Sequence, residues 1–464
     1  MEKDSEKITT VCIPTCNRPE QLRVALSGLI NHLEKYSRSP RILIVDDSEN
    51  LESAKTTKEI CDFCRANYEG KIECIDRNDR AEIAKTLAKE KGISEEVLNF
   101  ALLGDKLSTT TIGSVRNTCF LKTRGEKILM IDDDVVYDFF SPIKEDTPVV
   151  SIQHVFEFYF LKENEMPPVS LFKTINIDLL SEHENRLGGK AGQILGAEAF
   201  DYIKDLEIID TFMGAYGDSP MESHLLLLLQ PNVQDKLKDV SFEGYQKIKN
   251  ERRIIQTPLS NIIYQGVMCV GMIMGVDNRG IVPPVFPNGR GEDMTFGAMR
   301  YTAFPLKVSV YLPIMIGHER PTKEIRPPAY DSYYVTNMHK VIVSLIVESI
   351  TEDINPLNNL QAIGDKFASL VKEPPSIFAL RMEAQCVEIT KEIINYINYL
   401  LKNSSDIPDF LVNYMQSIIN TLSSPDPKLF MSDITKNHRE DKMVILQKWM
   451  SLYGQLLQEW HKLF

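Results

Sequence analysis

Short apolar segments alternate with helical patterns near the start of this sequence, and this alternation constrains the fold most. The segments at 8–16, 40–47 and 71–77 are rich in β-branched residues and have the length of strands. Between the first two, Pro19 suits a first helical turn, and a leucine face follows at helical spacing: Leu22, Leu26, Leu29 and Leu33. Repeated strand–helix–strand units predict an α/β fold with a mainly parallel central sheet.

Two acidic clusters follow predicted strands, at Asp46–Asp47 and at Asp132–Asp134. Parallel sheets bind ligands at the carboxyl ends of their strands. Because residues i and i+2 of a strand share a side, we expect Asp132 and Asp134 to converge and Asp133 to turn away. Such a pair of carboxylates suits Mg²⁺ or Mn²⁺ with phosphate oxygens. The alternative is a solvated acidic strand end that caps a helix.

Charge and composition exclude several classes of protein. The net charge of -13 argues against non-specific nucleic-acid binding and against a basic membrane-binding surface. The N-terminus has no apolar stretch, and we find no segment of about 18 apolar residues. We therefore expect a cytoplasmic protein without a transmembrane segment, whose eight cysteines are free thiols. Cys61 and Cys64 lack partners at zinc-site spacing.

The second half of the chain changes character. The region from about 140 to 265 is irregular, a strand is predicted at 267–276, and a Pro/Gly-rich loop from 283 leads into a helix. After 326–330 only helical patterns remain, at 335–351, 357–372, 376–402, 407–422 and 440–462. This predicts two domains, 1–325 and 326–464. The helices of the second domain could mediate formation of a homo-oligomer.

Five short motifs occur in a fixed order: IPTCNR at 13–18, VDDSEN at 45–50, GSVRN at 113–117, DDD at 132–134 and GED at 291–293. This ordered set resembles the GT-A nucleotide-sugar glycosyltransferases, specifically the family-2-like inverting enzymes, over about residues 8–320. The resemblance implies a GT-A catalytic domain with insertions at about 140–265. It also implies metal-dependent, inverting transfer of a sugar from a UDP-type donor to a carbohydrate, peptide or small-molecule acceptor.

The resemblance also implies roles for individual residues. The donor nucleotide would be bound by Thr15, Arg18, Asp47, Arg116, Asp132 and Asp133, with Asp47 accepting a hydrogen bond from uracil. Asp134, Asp132 and His318 would hold Mn²⁺ or Mg²⁺, and Asp293, beside Glu292, would be the catalytic base. The sequence departs from the family at Cys16, where a tyrosine or similar residue is usual, and in the long stretch between Asp134 and Asp293.

Each of these residues also has a purely structural interpretation. Thr15 or Asn17 could cap the first helix, and Asp47 could form a local Asx turn. Arg116 could pair with Glu126 at the surface. Glu292 and Asp293 could stabilise the start of a helix through its dipole, and His318 could be a strand-end residue.

Two other functions compete with sugar transfer. A sugar nucleotidyltransferase also uses a Rossmann-like sheet and acidic metal ligands, but we would expect a glycine-rich, basic signature near its N-terminus, and IPTCNRPEQL lacks it. The other possibility is a non-catalytic scaffold with a degenerate transferase fold, in which the helical C-terminal part would carry the function. The release of UDP from UDP-sugars would separate these possibilities.

Overall fold

The computed structural model describes residues 6–152, 156–161, 165–196, 201–218, 240–244, 253–319, 337–403, 407–423, 431–436 and 438–464. The predicted alternation is confirmed in the first third, whose elements are β1 (Ile8–Thr15), α1 (Pro19–Lys35), β2 (Arg41–Asp46), α2 (Leu51–Arg65), β3 (Ile72–Ile75), α3 (Arg77–Lys91), α4 (Glu95–Leu103), α5 (Ile112–Lys122) and β4 (Glu126–Ile131). Pro19 begins α1, and the four leucines of its predicted face are all buried.

The irregular middle region supplies most of the remaining strands: β5 (Val135–Pro142), β6 (Val149–Ser151), β7 (Glu157–Phe160), β8 (Phe172–Ile175), β9 (Glu207–Asp218), β10 (Arg253–Thr257), β11 (Ile262–Tyr264), β12 (Ile273–Asn278) and β13 (Lys307–His318). Three short helices separate β8 from β9: α6 (Leu179–Glu184), α7 (Gly192–Leu195) and α8 (Asp201–Lys204). The strand predicted at 267–276 corresponds to β12, which begins later than predicted, at Ile273.

The described strands form one 13-stranded sheet whose main path is β3-β2-β1-β4-β12-β9-β13-β11-β6. The first four strands along this path are parallel, whereas β12 runs antiparallel to both of its neighbours. The chain leaves β1 toward β2 and β3 and then returns to pair β4 on the other side of β1. The carboxyl ends of β1 and β4 therefore form the topological switch point, where α/β sheets bind ligands.

Helices dominate the chain after β13, as predicted. α9 (Glu292–Ala303) precedes β13. Within the described residues, five further α-helices follow β13: α10 (Met338–Val347), α11 (Pro356–Leu370), α12 (Pro375–Asn403), α13 (Asp409–Ser423) and α14 (Arg439–Glu459). Among the helices that the structure describes, none has the length and apolarity needed to cross a membrane.

The described C-terminal helices share a hydrophobic cluster with the earlier part of the chain. Trp449, Tyr453 and Trp460 are fully buried in the same cluster as Phe100 and Phe286. Their polar atoms also reach the first part of the chain: Trp449 Nε1 donates to Asp105 Oδ2 at 2.9 Å, Tyr453 Oη to Pro284 O at 2.9 Å and Trp460 Nε1 to Val282 O at 2.7 Å. The boundary near 326 stays a prediction, and this packing argues against two separable units.

Candidate active site

The three aspartates occupy the turn between β4 and β5. Because β4 ends at Ile131, strand alternation does not extend to them. Asp133 and Asp134 converge, since Arg18 Nη1 lies 3.4 Å from one carboxylate oxygen of each. Asp132 instead pairs with Arg116. The expectation that Asp133 turns away is therefore wrong, whereas Asp132 still lies close enough to Asp134 for their charges to interact.

The loop after β1 holds this acidic turn from the neighbouring strand. Thr15 Oγ1 donates a hydrogen bond to Asp133 Oδ2 at 2.6 Å. The first residue before α1 is Arg18, and no side chain caps that helix, so the capping interpretation of Thr15 and Asn17 is wrong. Arg18 keeps 34% of its side chain exposed, which leaves its guanidinium accessible to an anion from solvent.

Asn17 has a left-handed backbone conformation, with φ of 54°. Asparagine tolerates this region better than most residues because its short polar side chain bonds locally. Its backbone N–H donates to Ser48 Oγ at 2.7 Å, and its side chain accepts from Asn50 N at 3.3 Å. Asn17 thus fixes the β1 loop against the β2 loop, which positions Thr15 and Arg18.

His318 ends β13 and faces the acidic turn. Its Nε2 lies 2.9 Å from Asp134 Oδ1, and its Nδ1 contacts the carbonyl oxygen of Asp218. A carbonyl oxygen only accepts, so Nδ1 carries a proton, and in the neutral ring Nε2 is then an acceptor. Two acceptors at this distance need a proton or a cation between them: a proton held by the imidazolium or by the Asp134 carboxyl group, or a bound cation. Histidine ligands of metals characteristically donate their other N–H in this way.

Arg116 joins the acidic turn to the start of α9. It is buried, with Nη2 3.5 Å from Asp132 Oδ1, Nε 3.3 Å from Glu292 Oε1 and Nη1 3.1 Å from Gly271 O. The alternative pairing with Glu126 is wrong, because that carboxylate pairs with Arg41 at 2.7 Å. A direct contact between Arg116 and a nucleotide stays a prediction.

Asp293 lies in the first turn of α9, next to Glu292. The position that caps this helix is held by Gly291, whose φ is 108°, and Asp293 Oδ1 accepts from Met294 N at 2.8 Å. Burial, followed by repulsion from Glu292, raises the pKa of Asp293 to about 7, against the opposing effect of Arg116. A carboxylate with a pKa near neutrality is well matched to proton abstraction.

The aspartates of the turn also have raised pKa values. Burial raises the pKa of Asp132 to about 7, with repulsion from Asp134 and Asp133 added and attraction to Arg116 opposing it. Burial and repulsion from Asp134 raise the pKa of Asp133 to about 6, although Arg18 and Thr15 act in the opposite direction. Since burial and mutual repulsion disfavour the ionised forms of these carboxyl groups, a cation bound beside them would stabilise the ionised forms.

Asp47 lies after β2, and its carboxylate oxygens accept hydrogen bonds from protein side chains. Its Oδ1 accepts from Arg77 Nη1 at 2.5 Å and from the fully buried Arg80, while its Oδ2 accepts from Thr111. The Asx turn belongs to Asp46, whose Oδ1 accepts from Ser48 N at 2.9 Å, so this interpretation of Asp47 is wrong. A carboxylate offers about four lone pairs, which leaves about one on Oδ2 for a ligand N–H.

Sequence reasoning missed Arg77 and Arg80. Both lie in α3, RNDRAEIAKTLAKEK, where five basic residues look like a solvated helix face. The signal that could have indicated them is the need of buried Asp47 for positive partners.

Substituting Asp47 with asparagine should lower the free energy of unfolding by about 3–5 kcal/mol, because Arg80 would remain buried without its counter-charge. Urea unfolding of the purified protein measures this change. Asp62→Asn is the matched control, since it removes a half-exposed ion pair with Arg65 that is worth at most about 1 kcal/mol. Equal unfolding midpoints for the two variants would show that the Asp47–Arg80 pair is unimportant for stability.

Within the described ranges, no group of three or more histidine, cysteine, aspartate or glutamate side chains is arranged to hold a metal ion. Asp134 and His318 are instead a convergent pair, so any cation there would need its remaining ligands from a substrate or from water. Asp132 faces Arg116, which makes it the weaker of the predicted ligands.

Comparisons with known proteins give little further guidance. No family model matches this sequence, and no curated protein matches it. One similar solved structure is the mannosyltransferase PcManGT from Pyrobaculum calidifontis, in complex with GDP-Man and Mn²⁺. The alignment covers 96% of this chain and 86% of that one, with 10% identity and a TM-score of 0.30. A TM-score this low carries no argument about either fold family or activity.

Proposed function

We propose that this chain is an inverting glycosyltransferase of the GT-A type that uses a nucleoside-diphosphate sugar, UDP-linked, and a divalent cation. The observation that carries the proposal is the convergence of Arg18, Asp134 and His318 at the switch point of the sheet. Arg116 links the same turn to the start of α9, which carries Asp293. In the proposal, Arg18 would bind an anion, Asp134 and His318 would bind a cation, and Asp293 would act as the carboxylate base.

Asp134 and His318 would hold Mn²⁺ or Mg²⁺. With His318 Nδ1 directed to the carbonyl of Asp218, its Nε2 and the facing Asp134 Oδ1 could both coordinate a cation once no proton lies between them. When bound, the cation would neutralise charge on the leaving diphosphate. Arg18 would add a second positive group, since its partly exposed guanidinium already lies beside Asp133 and Asp134.

The proposed reaction is a single displacement. The oxygen of an acceptor hydroxyl attacks the anomeric carbon, and the bond from that carbon to the phosphate oxygen breaks. Its electron pair leaves with the nucleoside diphosphate, while the acceptor proton passes to the Asp293 carboxylate. One base acting opposite the leaving group, without a covalent intermediate, inverts the anomeric configuration. Glu292 is better suited to orienting than to proton transfer, because it pairs with Arg116.

The proposed nucleotide site extends from the β1 loop to the end of β2. The remaining lone pair of Asp47 could accept the ring N–H of uracil, and Arg77 borders it with 26% of its side chain exposed. The acceptor, whether carbohydrate, peptide or small molecule, would bind on the Asp293 side. A cytoplasmic location and a homo-oligomer through the C-terminal helices stay predictions.

Replacing Asp134 with asparagine should lower the affinity for UDP in the presence of Mn²⁺ by tenfold or more, because one of the two convergent cation ligands loses its charge. Isothermal titration of UDP with and without Mn²⁺ measures the effect. Asp138→Asn is the matched control, since Asp138 lies exposed in the adjacent strand β5. Undiminished Mn²⁺-dependent affinity in the Asp134 variant would show that the cation assignment is wrong.

The pH dependence of transfer follows from the pKa of Asp293, which is raised to about 7. A base must be ionised, so kcat should fall about tenfold per pH unit as the pH drops below about 7. Steady-state rates at saturating donor and cation, between pH 5.5 and 8.5, would show this limb. A flat profile across that range would rule out a base with this pKa.

One assay separates the proposed transferase from its alternatives. A transferase releases UDP from a UDP-sugar when an acceptor, or water as a slow substitute, is present. A sugar nucleotidyltransferase would instead release pyrophosphate from a nucleoside triphosphate and a sugar phosphate. A non-catalytic scaffold would release neither, whatever the cation supplied.

A further inference from the structure

The turn before α9 is tightly enclosed by the C-terminal part of the chain. This turn, Asn288–Gly291, leads directly into Glu292 and Asp293. Gly289 and Gly291 have φ values of 81° and 108°, a backbone region that favours glycine. A Cβ at Gly289 would lie 2.8 Å from His339 Nε2, and one at Gly291 would lie 3.0 Å from His339 Cβ.

His339, on α10, contacts the carbonyl group of Asn288, the first residue of the turn. It is 1% exposed, and its Nε2 lies 2.8 Å from Asn288 O. Because the carbonyl oxygen accepts, Nε2 carries the proton. Burial lowers the pKa of His339, which favours the neutral ring with a single donor directed at the turn.

Asp433 holds the other side of the same turn. It is 1% exposed, and its Oδ1 accepts from Arg290 N at 3.3 Å and from Thr109 Oγ1 at 3.3 Å. The backbone around it pairs with the loop before α5: Thr109 N donates to Asp433 O at 2.9 Å and Thr435 N to Leu107 O at 2.9 Å. The same loop also bonds to the turn directly, because Gly289 N donates a hydrogen bond to Thr110 O at 2.8 Å.

We propose that His339 and Asp433 are positioning residues, which fix the Asn288–Gly291 turn and thereby set the placement of Asp293. The inference rests on the proposed function, because Asp293 needs a defined position only if it abstracts a proton. Both residues are buried polar groups from outside the catalytic sheet, and both bond to the backbone immediately before the base. Backbone contacts of this kind orient a residue without contributing to donor binding.

The test compares variants that remove each contact with variants that keep it. His339→Leu and Asp433→Ala remove the contacts, whereas His339→Gln keeps an N–H donor and Asp433→Asn keeps an oxygen acceptor. Gly289→Ala disturbs the same contact from the turn side, which gives a second route if the His339 and Asp433 variants do not fold. His183→Leu is the matched control: His183 is also fully buried, but it contacts Thr211 under the sheet.

Three quantities are measured on the full chain: kcat, UDP affinity with Mn²⁺, and hydrogen exchange of the amides at 288–294. We expect His339→Leu and Asp433→Ala to lower kcat at least tenfold and to raise exchange at least tenfold, with UDP affinity changed less than twofold. His339→Gln and Asp433→Asn should recover most of the rate. His183→Leu should lower thermal stability without changing exchange in this segment.

The outcomes keep this proposal distinct from the proposed function. If the unaltered protein shows no transfer, the proposed function fails, and hydrogen exchange alone then decides whether His339 and Asp433 fix the turn. Unchanged exchange at 288–294 in the two disruptive variants and in Gly289→Ala would overturn the positioning role. Equal losses of kcat in His183→Leu would also overturn it, because the effect would then reflect general destabilisation.

Discussion

Replacing Asp293 with asparagine should reduce sugar transfer by about 10²–10⁴-fold, the usual contribution of a positioned general base, while donor affinity barely changes. The substitution keeps the volume of the side chain and one oxygen acceptor for Met294 N. It removes the negative charge and, with it, the ability to take a proton. Donor titration and the initial rate of transfer, measured on the same preparation, separate the two effects.

The same substitution should raise thermal stability at neutral and higher pH. Because the folded pKa of Asp293 is raised to about 7 from a reference near 3.8, the folded state binds the proton more tightly than the unfolded state. Its contribution to stability is therefore lost as the pH rises from about 4 to about 7, and the penalty is complete above that range. An asparagine carries no such penalty, so its melting temperature should exceed that of the parent at pH 8.

Asp409→Asn is the matched control for both measurements, since Asp409 is an exposed aspartate in the first turn of α13. We expect it to leave transfer unchanged. If Asp293 acts only through the helix dipole, its substitution should cost at most about 1 kcal/mol of stability and leave turnover near normal. Full transfer by the Asp293 variant would remove this residue from the mechanism.

Removal of residues 331–464 should leave a chain that does not fold. The truncation deletes large buried side chains that complete the cluster around Phe100 and Phe286: Leu446, Trp449, Tyr453, Leu456 and Trp460. Burying a side chain of this kind contributes about 1.5–3 kcal/mol. The summed contribution of these five side chains is comparable to the whole free energy of unfolding of a typical protein, roughly 5–15 kcal/mol. The soluble fraction and the near-UV circular dichroism of the 1–330 chain measure the outcome.

Co-expression of 331–464 as a separate chain is the control for the truncation. A shared core predicts that the two fragments become soluble together and co-purify. A soluble 1–330 fragment that binds UDP alone would instead support the two-domain organisation predicted from the sequence.

Much of the fold could be predicted because local patterns agree with tertiary packing. The leucine face of α1 and the C-terminal helices carry strong helical periodicity, and the observed bounds lie within a few residues of those predicted. Strands β5 to β10 escaped prediction because several are short and pair only with distant segments, such as β7 with β10. Such strands depend on partners that are far away in the sequence.

The candidate site shows the same division. Motifs indicated Arg18, Asp134, His318 and Asp293, which the fold places at one edge of the sheet or joins to it through Arg116. Periodicity misled us about Asp133, because the strand ends one residue before the acidic run. Other residues, such as His339 and Asp433, have no local signal, since their importance comes from backbone groups more than 50 residues away in sequence.

The contact between Asp433 and the turn before α9 has a consequence for the order in which this protein matures. During synthesis, the segments that carry Thr15, Asp134 and His318 emerge well before residues 433–460. Because the 1–330 chain is not expected to fold, a growing chain would complete neither this edge of the sheet nor the turn before α9 until those residues are available. Domains generally fold as units during translation, and here the unit extends to α14. Under the proposed function, competence for sugar transfer should thus arise only after residues 433–460 have been synthesised.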